Sequence, residues 1–124
     1  SGILAIAALA LGAAQADGID NDPQALLASI DNAQRNGVAD RLAVFMPHDA
    51  PDTGYDVVLA NILASALDEL APVIAARVRP GGRLALSGIL DGQQDDLLAR
   101  YREWFDELQV CRQGDWLRIT GLRR

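Results

Sequence analysis

Apolar residues recur along this chain in two rhythms, and their alternation predicts the elements. Ile3, Leu4, Ala7, Ala8 and Leu11 follow the spacing of one helix face. Residues 3–12 therefore read as a helix, apolar on most sides and closed by Gly12. Residues 14–19 read as a short strand ending at Asp20. Asp22 then stands as an N-cap with Pro23 at the first helical position. That helix runs to Asn36, with Leu26, Ile30 and Ala33 on one face and Gly37 beyond its end. Residues 41–46 predict a second strand, residues 47–54 a polar loop, and residues 55–60 a third strand. Val57, Val58 and Leu59 stand in a row, as in a parallel strand buried on both faces. Leu63, Leu67, Leu70, Ile74 and Val78 predict a helix that Pro72 breaks or bends. Arg79-Pro80-Gly81-Gly82 reads as a turn, residues 83–89 as a fourth strand, and residues 93–105 as a helix with Leu97, Leu98, Tyr101 and Phe105 inward. Residues 108–112 and 116–122 are strands joined by Gln113-Gly114-Asp115. This is a hairpin, so one of its strands runs antiparallel to the rest.

Strands alternating with helices imply an α/β fold, a mostly parallel sheet covered by helices. No internal repeat or long linker interrupts it, and residues 1–124 read as one domain. The opening is unusual, because a doubly wound sheet places a strand before its first helix. Ser1-Gly2 reads as the end of a Gly-rich strand-to-helix turn, and the absence of an initiator Met fits a chain that starts inside a larger protein. Residues 1–16 are uncharged, and Ala14-Gln15-Ala16 resembles a signal-peptidase site. The stretch has no positive leading region, however, and is shorter than the ~20 residues that span a bilayer. It reads instead as part of the α/β unit, and the expected location is the cytoplasm, without a membrane partner.

Composition narrows the function. The chain has 124 residues, half of them apolar, enough for one small core. Its 11 basic residues, all Arg, face 17 acids for a net charge of -6. That balance argues against direct nucleic-acid binding and suits a basic protein partner or no charged partner. A single cysteine, Cys111, excludes an internal disulfide framework and a cysteine zinc site. A single histidine, His48, excludes a histidine-rich one, so no metal is expected.

Asp20 is the sharpest candidate. An acid at the carboxyl end of a strand, roughly 20 residues past a Gly-rich turn, is placed to accept hydrogen bonds from ribose hydroxyls. Asp22 already accounts for the helix cap. Ser1 and Gly2 would let backbone approach a ligand at a helix N-terminus. Asn61 ends a buried strand on the side where ligands of open α/β sheets bind. Its amide either holds a substrate amine or caps the next helix. His48 and Asp49 form a neighbouring pair in a loop and read chiefly as solvated, although Asp49 is in reach of a nucleobase. Ser87 and Gly88 end the fourth strand as a pocket wall. Cys111 and Trp116 read as packed strand residues, and Tyr101, Trp104 and Phe105 as core.

Five segments then occur in order and at matching spacing: Ser1-Gly2-Ile3-Leu4-Ala5-Ile6-Ala7-Ala8, Gly18-Ile19-Asp20-Asn21-Asp22-Pro23, Asp56-Val57-Val58-Leu59-Ala60-Asn61-Ile62-Leu63, Pro80-Gly81-Gly82 and Leu86-Ser87-Gly88-Ile89-Leu90. Together they resemble the PrmA-type methyltransferases of large-subunit ribosomal protein eleven, a class I family using S-adenosylmethionine. The resemblance covers the whole chain. It implies a Rossmann-like three-layer sandwich with strand order 3-2-1-4-5-7-6, strand 7 antiparallel and strand 1 missing from this chain. It implies methyl transfer to lysine and N-terminal amines of a basic ribosomal protein. It also implies that Asp20 binds the cofactor ribose and that Asn61 lies beside both the methyl group and the incoming amine, as the catalytic residue. Ser1, Gly2, Asn21 and Asp49 are expected as further cofactor contacts. Without its first strand the sheet would keep two unpaired edges, so the chain made alone is expected to be poorly stable, to self-associate or to be rescued by another segment. A class I methyltransferase of another substrate, a nicotinamide-binding dehydrogenase half and a non-catalytic interaction module remain alternatives.

Overall fold

A computed structural model describes residues 2–124 of the chain. It divides into two compact units, Ser1–Pro51 and Asp52–Arg124.

The first unit holds helix α1 (Ile3–Ala10), strand β1 (Ala16–Ile19), helix α2 (Pro23–Arg35) and strand β2 (Leu42–Phe45). The two strands are parallel, in register from Ala16 opposite Leu42 to Ile19 opposite Phe45. Asp22 caps α2 as its sequence requires: its backbone is extended and its carboxylate accepts from the Gln24 N–H at 3.0 Å. Ile6, Leu9, Ala33 and Val38 form the core of this unit. Two expected faces are thereby corrected. Helix α1 buries Ile6 and Leu9 while Ile3, Leu4 and Leu11 stay exposed, and α2 buries Ser29 and Ala33 with Ile30 on the flank. In α1 nearly every position is apolar, so periodicity could not choose among its faces.

The second unit holds β3 (Tyr55–Asn61), α3 (Ala64–Glu69), α4 (Ala71–Arg77), β4 (Val78–Leu90), α5 (Gln94–Tyr101), β5 (Phe105–Gln113) and β6 (Trp116–Arg123). Its sheet runs in the order β3-β4-β6-β5. Strands β3 and β4 are parallel, and β6 is antiparallel to both β4 and β5. The hairpin thus supplies the antiparallel strand its turn required. The implied strand order is matched in two pieces, as 3-2 by β2-β1 and as 4-5-7-6 by β3-β4-β6-β5.

One face of this sheet is packed. Leu84, Leu86, Ile89, Leu117 and Ile119 meet Leu67, Ile74, Leu97 and Tyr101 from the helices. Pro72 interrupts the predicted helix at Leu70, which ends α3 and caps α4. Proline has no N–H to give the Asp68 carbonyl one turn back; the Arg100 Nε donates to that oxygen instead, at 3.4 Å. Beside it the buried Tyr101 hydroxyl donates to the Leu67 carbonyl at 2.7 Å. Burial, reinforced by the nearby Asp68 charge, pushes the phenol above its usual range.

The other face is open among the described residues, which corrects four expectations. Val57 and Leu59 are 56% and 44% exposed, and only their neighbour Val58 turns toward the helices. Cys111 and Trp116 lie on exposed positions of the hairpin, Trp116 at 57%. Alternation along a strand sends successive side chains to opposite faces. Helices cover one face only, so a run of apolar residues is half exposed. The Arg79–Gly82 turn lies inside β4: Tyr55 pairs with Val78 and Val57 with Arg83, so those four residues loop out as a bulge. The last predicted helix ends at Tyr101, and Phe105, inward as expected, begins β5.

Candidate functional site

In open α/β sheets ligands gather at the carboxyl ends of parallel strands. Each unit has such an edge: Asp20, Asn21 and Asp49 lie at that of the first and Asn61 at that of the second.

In the first unit, Asp20 and Asn21 follow β1, and Asp49 lies in a short turn after β2. A backbone bond joins the two strand ends, Asp20 N–H donating to the Phe45 carbonyl at 3.2 Å. Asp20 is half-buried, and its Oδ1 accepts from the Asp22 N–H at 2.9 Å. It is therefore not wholly free of structural work. Its other oxygen makes no hydrogen bond to a described residue, which leaves acceptor capacity at the strand end. Asn21 is exposed. Asp49 and His48 are exposed as well, with His48 Nε2 and Asp49 Oδ2 3.3 Å apart. Gly2 stands at the N-terminus of α1, and a Cβ there would meet the Ser29 side chain at 2.8 Å. The close approach that needs glycine is thus to α2. Ser1 lies outside the described residues.

In the second unit, Asn61 is the last residue of β3. Helix α3 begins at Ala64 with Leu63 at the N-cap position and no side-chain cap bond. The capping role for Asn61 is therefore excluded, because it sits two residues too early. Its amide is exposed and makes no hydrogen bond to another described residue. It pairs in register with Ser87 of β4. The next residue, Gly88, has φ +79°, and a Cβ built on it would lie 2.7 Å from Asn61 Oδ1 and 3.0 Å from the Ile62 carbonyl oxygen. The sequence reads Gly88, with Ser87, only as a pocket wall; a glycine inside a buried strand is the signal for such an approach. Ile62, which sequence reasoning passed over, and Leu63 follow Asn61 as exposed apolar residues, Leu63 at 75%. The sequence places Leu63 on the buried helix face with Leu70, but it precedes α3, and Leu70 falls at the break between α3 and α4, so both stay exposed.

A depression of about 330 Å³ also lies on the open sheet face, lined by Val57, Arg83, Ala85, Gln109, Thr120 and Leu122. It sits toward the amino end of β3, away from the carboxyl edge that carries Asn61. No group of three metal-ligating side chains occurs among the described residues. No helix there is long and apolar enough to cross a membrane.

The family model for ribosomal protein L11 methyltransferase (PrmA) matches residues 1–124. Curated relatives carrying that name include proteins from Xanthomonas euvesicatoria, 68% identical, and Stenotrophomonas maltophilia, 64% identical. Each match spans 100% of this chain and 40% of the relative, so the chain covers about two fifths of their length. Among solved structures, a ribosomal protein L11 methylase from Lactobacillus delbrueckii superposes with a TM-score of 0.89 at 30% identity, covering 99% of this chain and 65% of that one. An RNA methyltransferase from Salinibacter ruber, in complex with S-adenosyl-L-homocysteine, shares the fold at TM-score 0.73 and 18% identity, over 98% of this chain and 74% of that one. The chain belongs to the ribosomal protein L11 methyltransferase family, and its fold is that of class I methyltransferases.

Proposed function

We propose that this member of the family is the catalytic region, residues 1–124, of an enzyme that methylates lysine and N-terminal amines of ribosomal protein L11. The observation that carries the reading is the family match over every residue of the chain. S-adenosylmethionine supplies a sulfonium-activated methyl group when bound. The fit of the residues to it is chemical. A ribose diol offers two hydroxyl donors, and Asp20 at the end of β1 keeps carboxylate capacity beyond its turn bond. In this reading Asp20 holds the ribose, Asn21 and Asp49 contact the cofactor beside it, and Ser1 and Gly2 present backbone to it. Asn61 contributes to cofactor binding and orients the amine.

The chain's own chemical task is to present a neutral amine. A lysine has an ordinary pKa of about 10.4, so at neutral pH the attacking form is scarce. Exposed apolar Ile62 and Leu63 beside Asn61 lower the polarity there, which favours the uncharged amine. The Asn61 carbonyl accepts an N–H and turns the lone pair toward the donor. Alignment of reacting groups supplies ~7–11 kcal/mol in well-oriented systems, so no side-chain base is required. The net charge of -6 steers a basic substrate toward the enzyme more than it tightens the complex. The reading places the enzyme in the cytoplasm, acting on a protein without direct contact to nucleic acid or membrane.

One experiment tests this. A full-length enzyme carrying this chain is given labelled S-adenosylmethionine and purified ribosomal protein L11, beside its Asn61→Asp variant, across a pH series. The wild type should label lysine and N-terminal amines. Asn61→Asp should lose most labelling at neutral pH and regain it as pH rises, because an added carboxylate favours the protonated amine. Unlabelled L11 overturns the substrate; equal labelling by both proteins overturns the role of Asn61.

A further inference from the structure

We infer that Gly88 is a positioning residue: its bulge holds the Asn61 amide in its working orientation. The inference rests on the role proposed for Asn61 and adds a residue to it.

Three observations converge on this one residue. First, the pairing of β4 with β6 breaks there. Leu86 stands opposite Ile119 but Ile89 opposite Leu117, so β4 spends one residue more than its partner between those pairs. That is a β-bulge, a device that re-aims a strand and recurs beside functional sites. Second, Gly88 has φ +79°, a conformation that glycine adopts without steric cost. Third, the missing side chain faces Asn61: a Cβ would stand 2.7 Å from Oδ1 and 3.0 Å from the Ile62 carbonyl. The bulge thus presses bare backbone against the end of β3 and forms one wall for the amide.

What a methyl group would do there follows from what can yield. The Ile62 carbonyl is backbone within the β3–α3 connection and moves only with the chain. The Asn61 amide is the end of a flexible side chain and makes no hydrogen bond to another described residue. Rotation of the amide is the cheaper relief, so Gly88→Ala should leave the sheet intact and swing Asn61 out of line. The backbone strain of a non-glycine residue at positive φ is a separate effect, and Gly81 isolates it. Gly81 has φ +83° in the same strand, and a Cβ there meets nothing within 4 Å.

The test is a mutant cycle in a full-length enzyme carrying this chain. Gly88→Ala, Gly81→Ala, Asn61→Ala and the Asn61→Ala/Gly88→Ala double variant are compared by kcat and KM on ribosomal protein L11 and by melting temperature without ligand. Gly88→Ala should lower kcat at least about tenfold, with a smaller change in KM, whereas Gly81→Ala keeps wild-type kcat. In the Asn61→Ala background Gly88→Ala should cost less than about twofold more, because the amide it displaces is gone. The same coupling should appear in melting temperature: Gly88→Ala lowers it less when Asn61 is already Ala. This second reading stands even if Gly88→Ala is too unstable to assay for turnover. A Gly88→Ala enzyme with wild-type kcat overturns the inference, as does equal loss of activity or stability in both backgrounds. An Asn61→Ala enzyme with full turnover overturns the earlier role of Asn61 itself, and the two failures are thereby distinguished.

Discussion

Replacing Asp20 by Asn separates two jobs of one carboxylate. Oδ1 accepts from the Asp22 N–H at 2.9 Å, and the carbonyl oxygen of Asn accepts equally well, so the turn leading into α2 persists. What disappears is the charge, together with the second acceptor oxygen, which becomes an NH2 donor. Hydrogen bonds to ionised acceptors contribute about 1.5–3 kcal/mol and neutral ones about 0.5–1.5 kcal/mol. Over two ribose hydroxyls the loss of charge alone costs about 2–3 kcal/mol, or roughly 30- to 150-fold in Kd, and the lost acceptor makes this a lower bound. Asp20→Ala deletes the turn bond as well and should weaken binding at least as far while also lowering the melting temperature. The assay is calorimetric titration of S-adenosylmethionine into a full-length enzyme carrying this chain, beside melting of the unliganded protein. Asp20→Asn should lose affinity with its melting temperature unchanged. If the variant binds within about threefold of wild type, the ribose contact lies elsewhere and the carboxylate serves the turn alone.

Three further outcomes are expected. Tyr101→Phe removes the donor to the buried Leu67 carbonyl and should destabilise the protein by about 1–3 kcal/mol, read as a lower denaturant midpoint at unchanged slope; an unchanged midpoint refutes the bond's importance. Asp91 is held below its ordinary value of 3.8, first by its hydrogen bond to Arg112; its contribution is complete above that value and fades as pH falls through the lowered one. The melting gap between wild type and Asp91→Asn should therefore stay constant from neutral pH to that point and close below it, whereas a gap that persists in stronger acid contradicts the linkage. Strand β1 pairs only with β2, and β3 only with β4, among the described residues; each keeps an open edge, so the 124-residue chain produced alone should associate, and a monodisperse monomer by light scattering contradicts this.

The fold was legible wherever local chemistry carries one meaning. Asp22-Pro23 announced a helix start, Pro72 a break, and Gln113-Gly114-Asp115 a hairpin, and each stands within a residue or two of its expected place. Errors arose where a pattern depends on what lies across the sheet. Val57-Val58-Leu59 is compatible with burial on both faces or on one, and the helices of the second unit cover one. Helix α1 is apolar all round, so its buried face is selected by packing against Ala13, Ala16 and Ala33 and not by its own period. Arg79–Gly82 has the residues of a turn, and it is one, but strand pairing resumes on both sides and absorbs it into β4.

The candidate site divides along the same line. Asp20 was legible because its position relative to a strand end and a helix cap is a matter of sequence separation alone. Asn61 was ambiguous for a different reason: an Asn before a helix is a good cap, and only the backbone shows that the helix begins three residues later. The contact between Asn61 and Gly88 was beyond reach. It depends on parallel register between β3 and β4, on one extra residue in β4 opposite β6, and on a left-handed φ at that residue. None of the three is encoded in the local pattern around Asn61. The Leu-Ser-Gly-Ile-Leu segment nevertheless carries the clue in another form. A glycine in a buried apolar strand gives up side-chain packing, so its presence points to a left-handed φ, as at Gly81, or to a neighbour that would not tolerate a methyl group, and Gly88 combines the two. In this chain that neighbour is the amide of Asn61.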